Sequence, residues 1–292
     1  MNGMMFVNPK KTASLSVTGR ACSLNCAHCG GHYLRHMLPP GLWHTLDPAI
    51  VKSCLISGGC DPSGRVPVLS HRQELLELSR NFSLNFHVGL VTGEEAREIA
   101  LMASVISFDF VVDDATIREV YGIQRSGDDY IQTYQMLRNS ARVIPHICVG
   151  LLGGKVSGEY AAIDALCQLG AEAIVFLVLI PTLGTKYSGI SPPPVNEVVG
   201  VMQYAMKAMP GTPIYLGCMR PRGRYRAEID QAAVRLGVSR IVAPAHEAVM
   251  LAEKYGFRVT WGDECCVLNP DAGLGNDIAS APLLGAPRMV NS

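Results

Sequence analysis

Ser14-Leu15-Ser16-Val17-Thr18-Gly19-Arg20-Ala21-Cys22-Ser23-Leu24-Asn25-Cys26-Ala27-His28-Cys29 carries a short strand straight into three closely spaced cysteines. Ser14–Thr18 reads as a short β-strand, and the thiols follow as Cys-x3-Cys-x2-Cys. A loop of this length can wrap three thiolates around one metal centre. Thiolates are soft ligands that suit iron–sulfur clusters or zinc. Three ligands leave one metal position open for a further molecule. Structural zinc needs a fourth ligand, which His28 or His32 would supply.

Outward from this loop, short apolar strands alternate with amphipathic helices. Candidate strands are 14–18, 51–57, 83–89, 105–112, 142–150, 172–180, 213–218 and 240–243. Candidate helices are 71–78, 94–103, 129–139, 159–169, 196–208, 226–236 and 247–255. Most of the strands are apolar throughout, as for parallel strands buried on both faces. Eight such units predict an α/β protein, a (β/α)8 TIM-type barrel over residues 1–256, with chemistry at the C-terminal ends of the strands. Residues 257–292 are rich in Gly, Pro, Ala and Asn and break the repeat. They are expected to form a C-terminal extension that packs over the barrel mouth and carries Cys265-Cys266.

Composition narrows the function. The 292 residues are 48% hydrophobic, and 25 basic residues balance 25 acidic ones. A neutral chain argues against nucleic acid and anionic membrane surfaces. Met1–Lys11 has no apolar signal region, and the longest apolar run, Ala173–Ile180, is too short to span a bilayer. The expectation is a cytoplasmic protein whose ten cysteines stay reduced. No Ser-His-Asp order, phosphate loop or paired-histidine zinc motif supports hydrolysis.

Four segments in order resemble the radical S-adenosylmethionine enzymes, in their biotin-synthase-like branch. They are the cysteine loop, Ser57-Gly58-Gly59, Gly150-Leu151-Leu152-Gly153 with Glu159, and Ile180-Pro181-Thr182-Leu183-Gly184-Thr185. The resemblance implies a [4Fe–4S] cluster on Cys22, Cys26 and Cys29, whose open iron is chelated by S-adenosylmethionine and whose electron cleaves it to a 5′-deoxyadenosyl radical. It assigns contacts with that molecule to His28, Gly58, Gly59, Gly150, Ile180 and Pro181, with Asp113 on the ribose and Arg125 on the carboxylate. The plain readings are a surface histidine for His28, and an acidic loop with a helix cap for Asp113. One departure stands out, for the acid that follows the glycine motif in many members is displaced by Cys60 to Asp61.

Within this branch, the closest resemblance is to the two-component lipoyl synthases. It is carried by Val17–Cys22, Cys29-Gly30-Gly31-His32-Tyr33, Ser57–Asp61, Gly217-Cys218-Met219-Arg220-Pro221 and Cys265-Cys266. It implies sulfur insertion into an octanoyl chain on a carrier-protein lysine, with a sacrificial auxiliary [4Fe–4S] cluster as sulfur donor. It also implies a companion component and a low-potential electron donor such as ferredoxin or flavodoxin. Two auxiliary ligand sets are open: Cys60, Cys218, Cys265 and Cys266 at the rim, or a set with Cys54 or Cys148 inside the barrel. Cys167 reads as core packing, and Arg220 as a salt bridge or carboxylate binder. His87 and His146 read as satisfied core histidines, while Asp109 alternates with Phe108 and Phe110 and points inward. An apolar cavity and a docking patch at Arg220–Arg226 complete the reading. The rivals are another biotin-synthase-like reaction on a small molecule, and a zinc-stabilised binding barrel without catalysis.

Overall fold

The computed structural model describes residues 3–268. Its strands are β1 (Gly3–Val7), β2 (Thr12–Ser16), β3 (Ser53–Ser57), β4 (Ser83–Val88), β5 (Val105–Asp109), β6 (Val143–Val149), β7 (Ile174–Val178), β8 (Ile214–Leu216), β9 (Arg240–Val242) and β10 (Arg258–Gly262). All pair in parallel in one sheet, in the order β10-β1-β9-β8-β7-β6-β5-β4-β3-β2. The helices α1 (Arg72–Leu78), α2 (Gly93–Ala100), α3 (Asp114–Thr116), α4 (Gly127–Arg138), α5 (Glu159–Leu169), α6 (Val195–Ala208), α7 (Arg224–Leu236) and α8 (His246–Lys254) lie between strands.

Chain length forces this sheet to curl. β1 and β2 are eight places apart in the strand order, yet only residues 8–11 join them. Laid flat, they would stand about 38 Å apart at about 4.8 Å per strand. The link spans at most about 18 Å. The result is the expected barrel with helices outside, but with a seam. No ladder joins β2 to β1 or β10 among the described residues. Backbone bonds cross there instead: Asn8 N–H donates to Gly262 O and Lys11 N–H to Asp263 O, each at 2.8 Å.

Each of the eight expected strands has a counterpart, and β1 and β10 are additional. β10 lies on an edge, so Arg258 and Thr260 interrupt its apolar residues and leave no run to read. The predicted start of α2 is a capping box: Glu95 N–H donates to Thr92 Oγ1 (3.2 Å) and Thr92 N–H to Glu95 Oε2 (2.8 Å).

The sheet has two faces. Outside, Ile56, Leu84, Phe86, Ile106, Phe108 and Phe176 are buried with helix residues such as Leu75, Ile99 and Leu137. Cys54 sits in this outer core, so it cannot face the barrel interior as one ligand set requires. Inside, Val105, Ile144, Val175, Tyr215 and Val242 pack with Cys266 and Val267. The described part of the tail therefore enters the N-terminal end of the barrel, where Arg142 and Arg240 donate to the carbonyls of Val267 and Cys266. This is the end opposite the mouth that the tail is expected to cover; residues 269–292 lie outside the described residues. No helix among the described residues is long and apolar enough to cross a membrane.

Candidate cofactor and substrate site

The cysteine loop leaves β2 at the C-terminal mouth and is clamped on both sides. Ala27, 2% exposed, donates its N–H to Val120 O (2.8 Å), and its carbonyl accepts from Tyr187 N–H (2.9 Å). Cys29 N–H and Gly30 N–H both donate to Cys26 O at 3.0 Å, which winds the loop tightly. Burial pushes the Cys26 thiol up to about 12, and charges on Cys29 and Cys22 add to the shift. Burial also raises Cys29. Left to themselves Cys26 and Cys29 stay protonated, and a positive centre among the three sulfurs would be needed to hold them as thiolates.

Three thiols in one loop are a donor set that a cluster can use. Among the described residues, no three His, Cys, Asp or Glu side chains are close enough to share one metal ion. Thiolates of a cubane bind different irons and stand further apart than ligands of one ion. His28 gives a second sign of fit. Its Nδ1 is buried with no hydrogen-bond partner, and its ring meets Tyr121 edge-on at 6.1 Å. Burial lowers its pKa against the opposing charge of Asp109. An orphaned polar atom beside the cysteines suits a site that takes a ligand.

The glycine segments have local work as well. Gly59 N–H donates to Thr18 Oγ1 (2.7 Å), and a Cβ there would meet Ala21 O at 2.0 Å and Cys22 Cα at 2.6 Å. The loop after β3 thus touches the cysteine loop backbone to backbone, and Gly58 lies over Val17 and Thr18. Gly150 has φ +76° and donates to Glu159 Oε1 (2.7 Å). Glu159 also accepts from Ser157 N–H (2.6 Å), which holds the turn after β6. Ile180 and Pro181 follow β7, where Thr182 Oγ1 donates to Ile180 O (3.1 Å) and lies 3.0 Å from Tyr33 OH. That loop therefore joins the residues just past Cys29.

Asp113 and Arg125 are engaged elsewhere. Asp113 Oδ2 accepts from Thr116 N–H (3.0 Å) and Thr116 Oγ1 (2.5 Å), and so caps α3. Arg125 lies 3.5 Å from Asp129, which also holds Ser126 at the start of α4.

The other cysteines divide differently from the expected sets. Burial, then the charges of Cys22 and Cys26, raises Cys60 to about 12, and Ser23 N–H donates to Cys60 O (2.8 Å). Cys60 therefore belongs with the first group. Cys218 has Cys265 as its electrostatic neighbour, and Cys266 has both. Cys265 accepts from Asn85 Nδ2 (3.4 Å). Its thiol falls to about 6, through the Cys266 S–H bond first and then Val267 N–H, Asn85 and His87, against burial. Cys148 is half-buried among apolar residues such as Tyr121 and Leu179. Cys167 is not core: it is exposed on α5 and donates to Ala208 O (3.2 Å).

Arg220 is the salt-bridging arginine of the sequence reading. It is fully buried and bidentate on Asp230, at 2.6 and 2.9 Å. It cannot serve in a surface docking patch. Of that stretch, Arg222 and Arg224 are exposed, and Arg224 pairs with Glu228 at 2.6 Å.

The inner face is more polar than the apolar cavity expected. β-register sets His87 beside Ser107 and Asp109 beside His146. His87 Nε2 lies 3.3 Å from Asp109 Oδ1, and the His87 and His146 rings are 5.6 Å apart. Ser107 Oγ donates to Asn85 Oδ1 (3.0 Å). Asp109 keeps 47% of its side-chain surface accessible although it points inward. Burial opposes its ionisation, but His87 first, then His146 and His28, hold it at about 2. The same pairing raises His87 against the effect of burial. The signal in the sequence is polar residues two apart in otherwise apolar strands: 85 and 87, 107 and 109.

No protein-family model matches the sequence, and no curated protein does. Solved structures do match by shape. The FeFe-hydrogenase maturase HydG from Carboxydothermus hydrogenoformans superposes with TM-score 0.66 at 15% identity, over 88% of this chain and 68% of its own. Methylornithine synthase (PylB) gives TM-score 0.59 at 12% identity, over 88% and 84%. This chain shares their fold. Streptococcus suis SuiB bound to S-adenosylmethionine follows with TM-score 0.52 at 13% identity, over 83% of this chain and 58% of its own.

Proposed function

We propose that this chain is a radical S-adenosylmethionine enzyme, and the observation that carries the reading is the clamped Cys22-Cys26-Cys29 loop at the barrel mouth. When bound, a [4Fe–4S] cluster supplies the electron for reductive cleavage of S-adenosylmethionine, and hence hydrogen abstraction from an unactivated C–H bond. The three thiols would hold the cluster. His28, Gly58, Gly59, Gly150, Ile180 and Pro181 would border the S-adenosylmethionine, with backbone close to it at the glycines. Arg125 would have to exchange its loose contact with Asp129 for the carboxylate, and Asp113 would have to share its capping oxygen. The curled sheet encloses the reacting groups and excludes water from them.

The finer assignment is sulfur insertion, of the lipoyl-synthase type, into an octanoyl-lysyl carrier with a companion component and a ferredoxin- or flavodoxin-like donor. Its support is the grouping of Cys218, Cys265 and Cys266, which offers a second thiol site apart from the first. The polar wall of Asn85, His87, Ser107, Asp109 and His146 favours a second reading, a related reaction on a smaller polar molecule.

Anaerobic iron–sulfide reconstitution tests both levels. About eight irons per chain are expected for two cubanes and about four for one. The triple substitution Cys22→Ala, Cys26→Ala, Cys29→Ala should remove about four irons and abolish 5′-deoxyadenosine formation. Colourless protein that takes up zinc instead would overturn the radical reading. A one-sulfur mass increase on an octanoylated carrier peptide would support the finer assignment, and none in the presence of a companion would refute it.

A further inference from the structure

Cys60 stands with the first cysteine loop, and backbone bonds fix it there. Before it, Gly59 N–H donates to Thr18 Oγ1 (2.7 Å). After it, Asp61 N–H donates to Arg65 O (2.8 Å), and Cys60 O itself accepts from Ser23 N–H (2.8 Å). Gly59 lies so close to the loop that an added Cβ would stand 2.6 Å from Cys22 Cβ. Cys60 cannot drift away from Cys22 unless one of these contacts breaks.

Its thiol is also unspent. Cys60 is half-buried and its sulfur makes no hydrogen bond among the described residues, whereas Cys167 donates to Ala208 O and Cys265 accepts from Asn85. The charges that act on the Cys60 thiol are those of Cys22, then Cys26, then Asp109. The neighbouring carboxylate is fully engaged. Asp61 Oδ1 accepts from Ser63 N–H (2.8 Å) and Ser63 Oγ (2.6 Å), and Oδ2 accepts from Arg65 Nε (3.0 Å). Of this pair, the thiol is the donor left for a metal. The buried, unpartnered Nδ1 of His28 independently marks the same loop as one that takes a ligand.

A cubane held by three cysteines has one iron without a protein ligand. Thiolate is a soft donor that iron prefers to water. A fourth thiol tethered beside two of the three ligands meets that iron at a high effective concentration.

We propose that Cys60 is a fourth, exchangeable ligand of the first cluster, which occupies the open iron in the resting protein and is displaced by S-adenosylmethionine. The proposal rests on the enzyme reading above and adds a resting state to that site. In the exchange the bond from iron to the Cys60 sulfur breaks. The amino nitrogen and a carboxylate oxygen of S-adenosylmethionine bind iron in its place. The released thiolate takes a proton from solvent, and no electron moves.

The test compares the anaerobically reconstituted full chain with its Cys60→Ala and Cys60→Ser variants. The first readout is S-adenosylmethionine binding by calorimetric titration. Removing a competitor that fills about nine sites in ten tightens apparent binding about tenfold, which is the change expected for Cys60→Ala. The second readout is iron retained after mild ferricyanide oxidation without S-adenosylmethionine. An iron that lacks a protein ligand is the first to leave. The parent should keep its irons, and Cys60→Ala should lose about one per first cluster and acquire the paramagnetic signal of a three-iron form. Any second cluster contributes equally to parent and variants. Cys60→Ser keeps the side-chain volume and should shift both readouts in the same direction, so a packing defect in the alanine variant does not decide the result. Unchanged or weaker binding in both variants, or iron loss equal to the parent's, overturns the proposal and leaves the enzyme reading in place. A parent that takes up no cubane overturns the enzyme reading, and the proposal with it.

Discussion

Gly59→Ala separates two physical reasons for a glycine after β3. One is close approach of a bound ligand. The other is contact between two loops of the protein itself, and the distances favour it. A Cβ at 59 would sit 2.0 Å from Ala21 O and 2.6 Å from Cys22 Cα, both backbone atoms that cannot swing away. Relief requires the cysteine loop to move, which also strains the Gly59–Thr18 hydrogen bond of 2.7 Å. Overpacking costs about 1–3 kcal/mol and the hydrogen bond about 1 kcal/mol. The alanine restricts the unfolded chain and returns about 0.4–1 kcal/mol. The expected net loss is about 1–4 kcal/mol. Gly58→Ala meets only side-chain atoms, at 2.9 Å and beyond, and should cost within about 1 kcal/mol. Urea unfolding of the iron-free protein, without S-adenosylmethionine, measures both. Iron uptake then reports whether the displaced loop still assembles the three thiols, and it should fall for Gly59→Ala. If Gly59→Ala unfolds at the same urea concentration as the parent, loads the same iron, and loses only S-adenosylmethionine binding, the loop-packing explanation is refuted.

Asp230→Ala leaves the fully buried Arg220 guanidinium without its carboxylate and should destabilise by about 3–5 kcal/mol in urea unfolding; the double change Arg220→Met with Asp230→Leu should recover most of that loss. His146 titrates at about 4, because burial first and the charge of His87 second disfavour its charged form. The unfolded chain therefore binds the extra proton between pH 6.5 and 4, and stability should fall as pH drops through that window, by up to about 1.4 kcal/mol per pH unit. Unfolding of His146→Gln should show a correspondingly shallower slope, and an unchanged slope would refute the assignment.

Legibility in the sequence followed the range of the interaction. Cys22, Cys26 and Cys29 are read from spacing alone because one loop brings them together. The strands β2 to β9 are read because apolar runs report burial on both faces of a parallel sheet. β10 was hidden because an edge strand is wetted on alternate residues. Cys60 reads as a rim cysteine by its place after a strand, and only the contact of Ser23 with its carbonyl attaches it to the first loop. The histidines at 87 and 146 read as core because each alone in an apolar strand suggests nothing else.

The sequence by itself determined the barrel and the three-thiol loop, since periodicity and short spacing are properties of neighbouring residues. Tertiary structure decided the rest. Cys265 meets Asn85 across 180 residues, and Asp109 meets His87 and His146 through strand register. A one-residue change of register would turn those side chains to the opposite face. Sequence spacing carries no record of that choice, because it is made by packing among strands that the chain reaches far apart.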